Sequence, residues 1–337
     1  ALAANTTASN NVAVGYAALL ANTTGTTNTA VGKDTLKTNT TGNQNVAVGN
    51  DSLEDNTTGE GNTALGYESL KANTTASLNT AVGFQALLAN TTGHSNIAIG
   101  VQALDANTAA SNLMAIGRSA LGAWTATGGN AAVAIGNYAA AATVSGGDFT
   151  AVGYAALMSN TTGHTNTAIG TGAMDTNTTG HSNIGIGNYA LDDNTTGTKN
   201  VAIGGLYTLG DNTTGSQNTA VGYNALRTST TANNNNAFGF NALGANTTGT
   251  QNSAFGEEAM LTNTTGGQNV AVGSEALKAN TTANNNTAIG RSALAANTTG
   301  DTQTAVGFNA LLLNTTGSNN TALGTRSLDA NTTGTNN

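Results

Sequence analysis

Apolar residues recur along this chain on a fixed beat. Each beat has the form small–apolar–Gly, as in Ala64-Leu65-Gly66, Ala81-Val82-Gly83 and Ala98-Ile99-Gly100, with a leucine four residues on at Leu70, Leu87 and Leu104. A polar stretch reading Asn-Thr-Thr-Gly or Asn-Thr-Thr-Ala fills the interval. The marker glycine occurs 19 times, from Gly15 to Gly324, at a spacing of 17 except for one step of 19 (Gly117 to Gly136) and one of 18 (Gly204 to Gly222). A period this strict is the mark of a repeat architecture and displaces a length-based guess of two or three globular domains.

With the marker glycine as position 1, position 17 is always apolar, mostly Val or Ile. Position 16 is alanine in every copy except Gly185, and position 5 is nearly always leucine. Seventeen residues are too few for a helical-hairpin repeat, and a turn segment in every copy would break a helix after about two turns. The β-branched residues at position 17 favour a strand, and Asn-Thr-Thr-Gly favours a turn. The expected fold is all-β: a parallel β-solenoid or β-roll of about 19 coils with 17 residues per coil. Two short strands are predicted in each coil, over positions 14 to 1 and 2 to 6, with coils about 4.8 Å apart. The chain reads as one continuous solenoid over 1–337, with irregular coils at 107–153. The marker glycine is expected at a sharp bend, and the stacked asparagine columns can either hydrogen-bond along the stack or tie down the bend; the sequence does not say which column points inward. The extra residue near Gly205-Leu206-Tyr207 predicts a bulge.

Alternation along a strand sends positions 16 and 17 to opposite faces. Taking the larger residue as the core places position 17 inside and leaves the alanine column outside. A solvent-facing column that stays small through 19 copies points to something packed against it. The sequence therefore predicts an assembly face made of Ala81, Ala98, Ala151, Ala168, Ala271 and Ala288, and a homo-oligomer or filament of identical chains.

Charge is sparse: 9 Lys or Arg against 17 Asp or Glu, a formal net charge of -8, with most charges at positions 2, 3, 6 and 7. This mild acidity without a basic patch argues against nucleic-acid binding. No run of 18 apolar residues occurs, which argues against membrane insertion. The chain has no cysteine and hence no disulfide or thiolate metal site. It opens on Ala1 without a signal peptide, which reads as a processed chain or an excised segment.

The elements Thr63-Ala64-Leu65-Gly66 with Ser69-Leu70, Thr80-Ala81-Val82-Gly83 with Ala86-Leu87, and Thr304-Ala305-Val306-Gly307 with Ala310-Leu311 resemble the head repeats of trimeric autotransporter adhesins and related repeats of phage tail fibres. The resemblance covers essentially the whole chain. It implies a left-handed parallel β-roll, three of which associate side by side, in a fibrous protein outside the cell, on a cell surface or on a virion, that binds a host-surface glycan or protein. The adhesin repeat is usually shorter, near 14 residues, and lacks the constant Asn-Thr-Thr.

The period falters in two turns, Trp124 to Gly129 and Thr143 to Phe149, and position 14 becomes Leu113, Ala132 and Phe149 in three successive coils. Trp124 and Phe149 form either a binding patch or a pair packed against each other across neighbouring coils. His94, His164 and His181 all fall at position 12 beside a turn and read as surface residues rather than metal ligands. No nucleophile with a base, no phosphate loop and no calcium nonapeptide is present, so no enzyme activity and no cofactor are expected. Three functions compete: a structural fibre or adhesin segment, an ice-binding solenoid using a threonine ladder, and a carbohydrate-binding fibre using Trp124. The Thr-Thr pair supplies one outward threonine column rather than two on one face, which weighs against ice. The Asn-Thr-Thr tripeptides also have the form of glycosylation acceptors, at Asn22, Asn39, Asn56, Asn90 and Asn160 among others.

Overall fold

A computed structural model describes residues 1–127 and 131–337; Gly128, Gly129 and Asn130 lie outside the described residues. Every repeat contributes one short strand centred on position 16, from Val12–Val14 to Thr321–Leu323, 19 in all among the described residues. The fold is an all-β parallel solenoid with the predicted 17-residue period. It divides into two compact units, Ala1–Asn166 and Thr167–Asn337. In the first, strands from Val12–Val14 to Phe149–Val152 pair in parallel, each with the next, and Ala30 opposes Ala47 as Ala47 opposes Ala64. In the second, the same register runs from Thr167–Ile169 to Thr321–Leu323.

The second predicted strand, over positions 2 to 6, does not form. Positions 3, 5 and 13 instead take left-handed backbone angles, as at Glu68 (φ 53°), Leu70 (φ 51°) and Leu78 (φ 62°). Each such residue costs about 1–2 kcal/mol relative to ordinary backbone. The conformation persists because each of these N–H groups reaches a neighbouring coil: Glu68 to Asn50 O (3.0 Å), Leu70 to Ala86 O (3.0 Å) and Leu78 to Glu60 O (3.0 Å). These corners turn the chain sharply enough to close a coil in 17 residues. The marker glycine makes the remaining corner. Gly66 has φ +136°, and a Cβ there would stand 2.4 Å from the carbonyl oxygen of Gly83 in the next coil. Backbone angle and backbone crowding both require glycine at this position.

Strand orientation is the reverse of the sequence expectation. Ala81, Ala98, Ala151, Ala168, Ala271 and Ala288 are fully buried inside their own coils and therefore form no assembly face. The flanking positions 15 and 17 point outward, with Val48 36% and Ile99 38% exposed. The reason is volume. The interior already holds the position-5 leucine and two asparagines, which leaves room for a methyl group opposite them. At the exception, Gly185, a Cβ would meet Met174 Cγ at 2.8 Å.

Positions 8 and 14 both point inward and form two buried asparagine ladders. At position 8, Asn39 Nδ2 donates to Asn22 Oδ1, Asn56 Nδ2 to Asn39 Oδ1 and Asn73 Nδ2 to Asn56 Oδ1, each at 2.8 Å. At position 14 the backbone takes part: Asn45 N donates to Asn28 Oδ1 (2.9 Å) and Asn62 N to Asn45 Oδ1 (3.0 Å). The ladders meet at the position-11 carbonyl. Gly59 O accepts from Asn56 Nδ2 of its own coil (3.0 Å) and from Asn45 Nδ2 of the preceding one (2.8 Å). A coil with one large apolar side chain thus holds its shape through buried amides that satisfy one another and the turn.

In the irregular coils this polar interior gives way to an apolar one. Leu113, Ala132 and Phe149 are buried in place of the position-14 asparagine, and Trp124 is buried in place of a position-8 asparagine. Trp124 and Phe149 lie 6.4 Å apart between ring centroids, at 52°. The strands here lengthen to four residues, as in Leu113–Ile116, because position 14 joins them. The ladder ends cleanly: Asn96 Oδ1 accepts from Leu113 N (3.0 Å).

Candidate functional surface

The outward strand face arises from the parity of three residues around the buried alanine. Positions 15 and 17 stand about 6.6 Å apart along each strand, and successive coils repeat them about every 4.8 Å. Position 15 is Thr at Thr29, Thr63, Thr80, Thr150, Thr167, Thr219, Thr287, Thr304 and Thr321, and mostly Val or Ile elsewhere. Position 17 is Val, Ile, Leu or Phe throughout. None of the strands contains a charged residue. Among the described residues, the hydroxyls of Thr29, Thr63, Thr80, Thr287 and Thr304 make no hydrogen bond to the chain, so they are open to water. β-Branched side chains on strands have few rotamers, and in-register pairing holds their Cα atoms on a grid.

The Asn-Thr-Thr turn behaves differently. The first threonine spends its hydroxyl on the next coil: Thr23 Oγ1 donates to Thr40 O (3.0 Å), Thr40 Oγ1 to Thr57 O (3.1 Å) and Thr57 Oγ1 to Thr74 O (3.0 Å). The second, as at Thr24, Thr41, Thr58 and Thr75, is exposed. The pair therefore gives one outward column, as expected. The further threonine column at position 15 was missed because position 17 was taken to be core.

Charges gather on positions 2, 3, 6 and 7. Lys71 joins Glu68 of its own coil (3.0 Å) to Glu54 of the preceding one (3.6 Å), and Lys278 joins Glu275 of its own coil (3.0 Å) to Glu258 of the preceding one (2.7 Å). The Gln85 amide, and then the Lys71 ammonium, hold the Glu68 carboxyl below its usual range. Asp192 goes the other way: burial first, then the neighbouring Asp193, pushes it up to about 7. Among the described residues, no group of three or more His, Cys, Asp or Glu is placed to hold a metal ion.

Two sequence-predicted sites do not survive the geometry. Trp124 is fully buried and Phe149 nearly so, so they pack against each other and offer no exposed patch. Asn22, Asn39, Asn56, Asn90 and Asn160 are also fully buried. Their amide nitrogens donate to the position-11 carbonyl of their own turn, at 3.0 Å for Asn22 and 2.9 Å for Asn90, so the folded coil leaves no room for a glycan on them. The tripeptide serves the turn. His164 and His181 lie beside their turns, with Nδ1 at 2.9 Å from Thr165 Oγ1 and 3.3 Å from Ser182 Oγ respectively.

No protein-family model matches the chain, and no curated protein matches it.

Proposed function

We propose that the chain is a non-catalytic solenoid whose outward strand face orders water in the manner of an ice-binding surface. The observation that carries this reading is the face itself: two columns of short, rotamerically stiff side chains on a regular grid, with free threonine hydroxyls at position 15 and no charge in any strand. The spacing between coils, about 4.8 Å, is of the order of the shorter lattice repeat of hexagonal ice. Methyl groups at positions 15 and 17 favour ordered, cage-like water, and the hydroxyls can anchor it. The buried asparagine ladders stiffen the frame that holds the grid. This function belongs outside the cell, where ice grows.

A second reading is a fibre or adhesin segment that self-associates through the same face. Position 17 favours it, since that column carries no hydroxyl and includes Phe238 and Phe255, stacked with centroids 4.9 Å apart at 7°. Contiguous apolar surface of this kind commonly marks a protein interface. Thermal hysteresis with ice-crystal morphology, measured on the wild type and on Thr80→Lys and Thr287→Lys, separates the two. Ice binding predicts hysteresis and faceted crystals at micromolar protein, reduced by either lysine. Absence of hysteresis from a chain that sediments as an oligomer would replace this reading with the fibre.

A further inference from the structure

The charged side of the second unit contains a cleft of about 330 Å³, lined by Asp211, Asn224, Arg227, Gly244, Ala245 and Leu261 among others. Its origin is one residue. Position 6 carries a long side chain in most coils, such as Lys71, Leu88, Arg227, Leu261 and Lys278. Gly244 occupies that position here and leaves a gap between Arg227 on one side and Leu261 on the other. Its backbone is not in the left-handed region, and a Cβ would find Asn241 O at 3.2 Å and Leu261 Cδ1 at 3.4 Å. Glycine at Gly244 thus makes space rather than a corner.

The polar groups around this gap are under-used. Asn224 Oδ1 is buried yet has no hydrogen-bond partner. Asp211 and Arg227 sit on adjacent coils, with Asp211 N donating to Arg227 O at 3.0 Å. No ion pair joins their side chains among the described residues; the guanidinium lies over the Tyr207 ring instead, 5.1 Å from its centroid. Tyr207 in turn stacks on Tyr189 at 5.9 Å and 16°. The Thr228 and Thr262 hydroxyls, by contrast, are engaged with backbone carbonyls: Thr228 Oγ1 with Gly244 O (3.0 Å) and Thr262 Oγ1 with Lys278 O (2.8 Å).

We propose that this cleft binds one saccharide unit. Two acceptors, Asn224 Oδ1 and the Asp211 carboxylate, require a ligand that donates. Arg227 requires one that accepts. A polyol does both with each hydroxyl, and its C–H face packs on Leu261 and Ala245. Burial holds the Asp211 carboxyl above its usual range, so a hydroxyl donor relieves a poorly solvated group. The volume lies at the lower end of small-molecule sites. The site is on positions 3, 6 and 7 and is independent of the strand face.

Saturation-transfer NMR and calorimetry on the full chain test this with glucose, galactose, N-acetylglucosamine and glucuronic acid, and with sodium sulfate and acetate as simple anions. At least one sugar is expected to bind with Kd of about 1 mM or tighter. Asn224→Ala, which removes the orphan acceptor, and Gly244→Leu, which restores the side chain found at Leu88, should each weaken binding at least about tenfold with the circular dichroism spectrum unchanged. No binding by any sugar overturns the proposal. So does equal binding in both variants, or binding of sulfate and acetate without any neutral sugar, which would make the cleft an anion site.

Discussion

Replacing Asn56 with alanine tests whether the buried amides hold the coil together. The substitution removes three hydrogen bonds: Asn56 Nδ2 to Asn39 Oδ1 (2.8 Å), Asn56 Nδ2 to Gly59 O (3.0 Å) and Asn73 Nδ2 to Asn56 Oδ1 (2.8 Å). Not all their partners are stranded. Gly59 O keeps the Asn45 amide (2.8 Å) and Asn73 Nδ2 keeps Ala76 O (3.0 Å). Asn39 Oδ1 loses its donor while remaining buried. At about 1 kcal/mol net for each of the three bonds, with about 1–3 kcal/mol for the unsatisfied acceptor, the loss should be about 4–6 kcal/mol. Urea titration followed by circular dichroism reads it as a lower midpoint at an unchanged slope. Thr58→Ala, at the exposed second threonine of the same turn, serves as the control and should stay within about 0.5 kcal/mol. A loss below about 1 kcal/mol for Asn56→Ala would refute the claim that the ladder stabilises the coil, and would place the stability in the backbone bonds alone.

Ala64→Val adds two methyl groups to an interior with room for one and should cost about 1–3 kcal/mol in the same titration. An unchanged midpoint would mean that the interior is looser than its burial indicates. Stability should also fall as pH rises from about 4 to 7. Asp192 ionises near 3.8 in the unfolded chain but only near 7 when folded. Between those values the folded state holds the extra proton, so its advantage shrinks as pH rises and is gone above 7. Asp105, Asp175 and Asp211 are raised in the same sense. Asp192→Asn should flatten the dependence of the thermal midpoint; an identical slope in the variant would remove Asp192 as its source. Glycopeptide mapping of the chain secreted from a eukaryotic host should find Asn22, Asn39, Asn56, Asn90 and Asn160 unmodified in the folded fraction. Glycan on any of these five in folded protein would contradict their burial.

Much of this architecture is legible from spacing alone. The period sets the coil count, and the constant leucine at position 5 is a core residue, as at Leu70 and Leu87. The drifting residues at positions 2 and 3 mark solvent, and the switch of position 14 to Leu113, Ala132 and Phe149 is an apolar interior. What parity cannot decide is which of two adjacent constant positions faces inward. Size gave the wrong answer because a 17-residue coil is too narrow for a β-branched residue opposite a leucine and two asparagines. The better signal was tolerance. Position 17 accepts Val, Ile, Leu and Phe, as an outward site can, while position 16 accepts only Ala and Gly. The missing second strand has a similar cause: residues as ordinary as Glu68 and Leu70 take left-handed angles because hydrogen bonds to neighbouring coils hold them there. The cleft at Gly244 was invisible because only the stack sets a missing side chain beside an arginine one coil away and a leucine on the next.

The account rests above all on the direction of the strand side chains, and a chain without native cysteine allows that to be read chemically. Val48→Cys and Ala47→Cys, adjacent on one strand, can be titrated with a coloured thiol reagent in native buffer and again in denaturant. The structure predicts rapid labelling of Val48→Cys in the folded protein. Ala47→Cys should stay silent until the chain unfolds. Prompt native-state labelling at Ala47→Cys with protection at Val48→Cys would contradict it, and would return the alanine column to the surface.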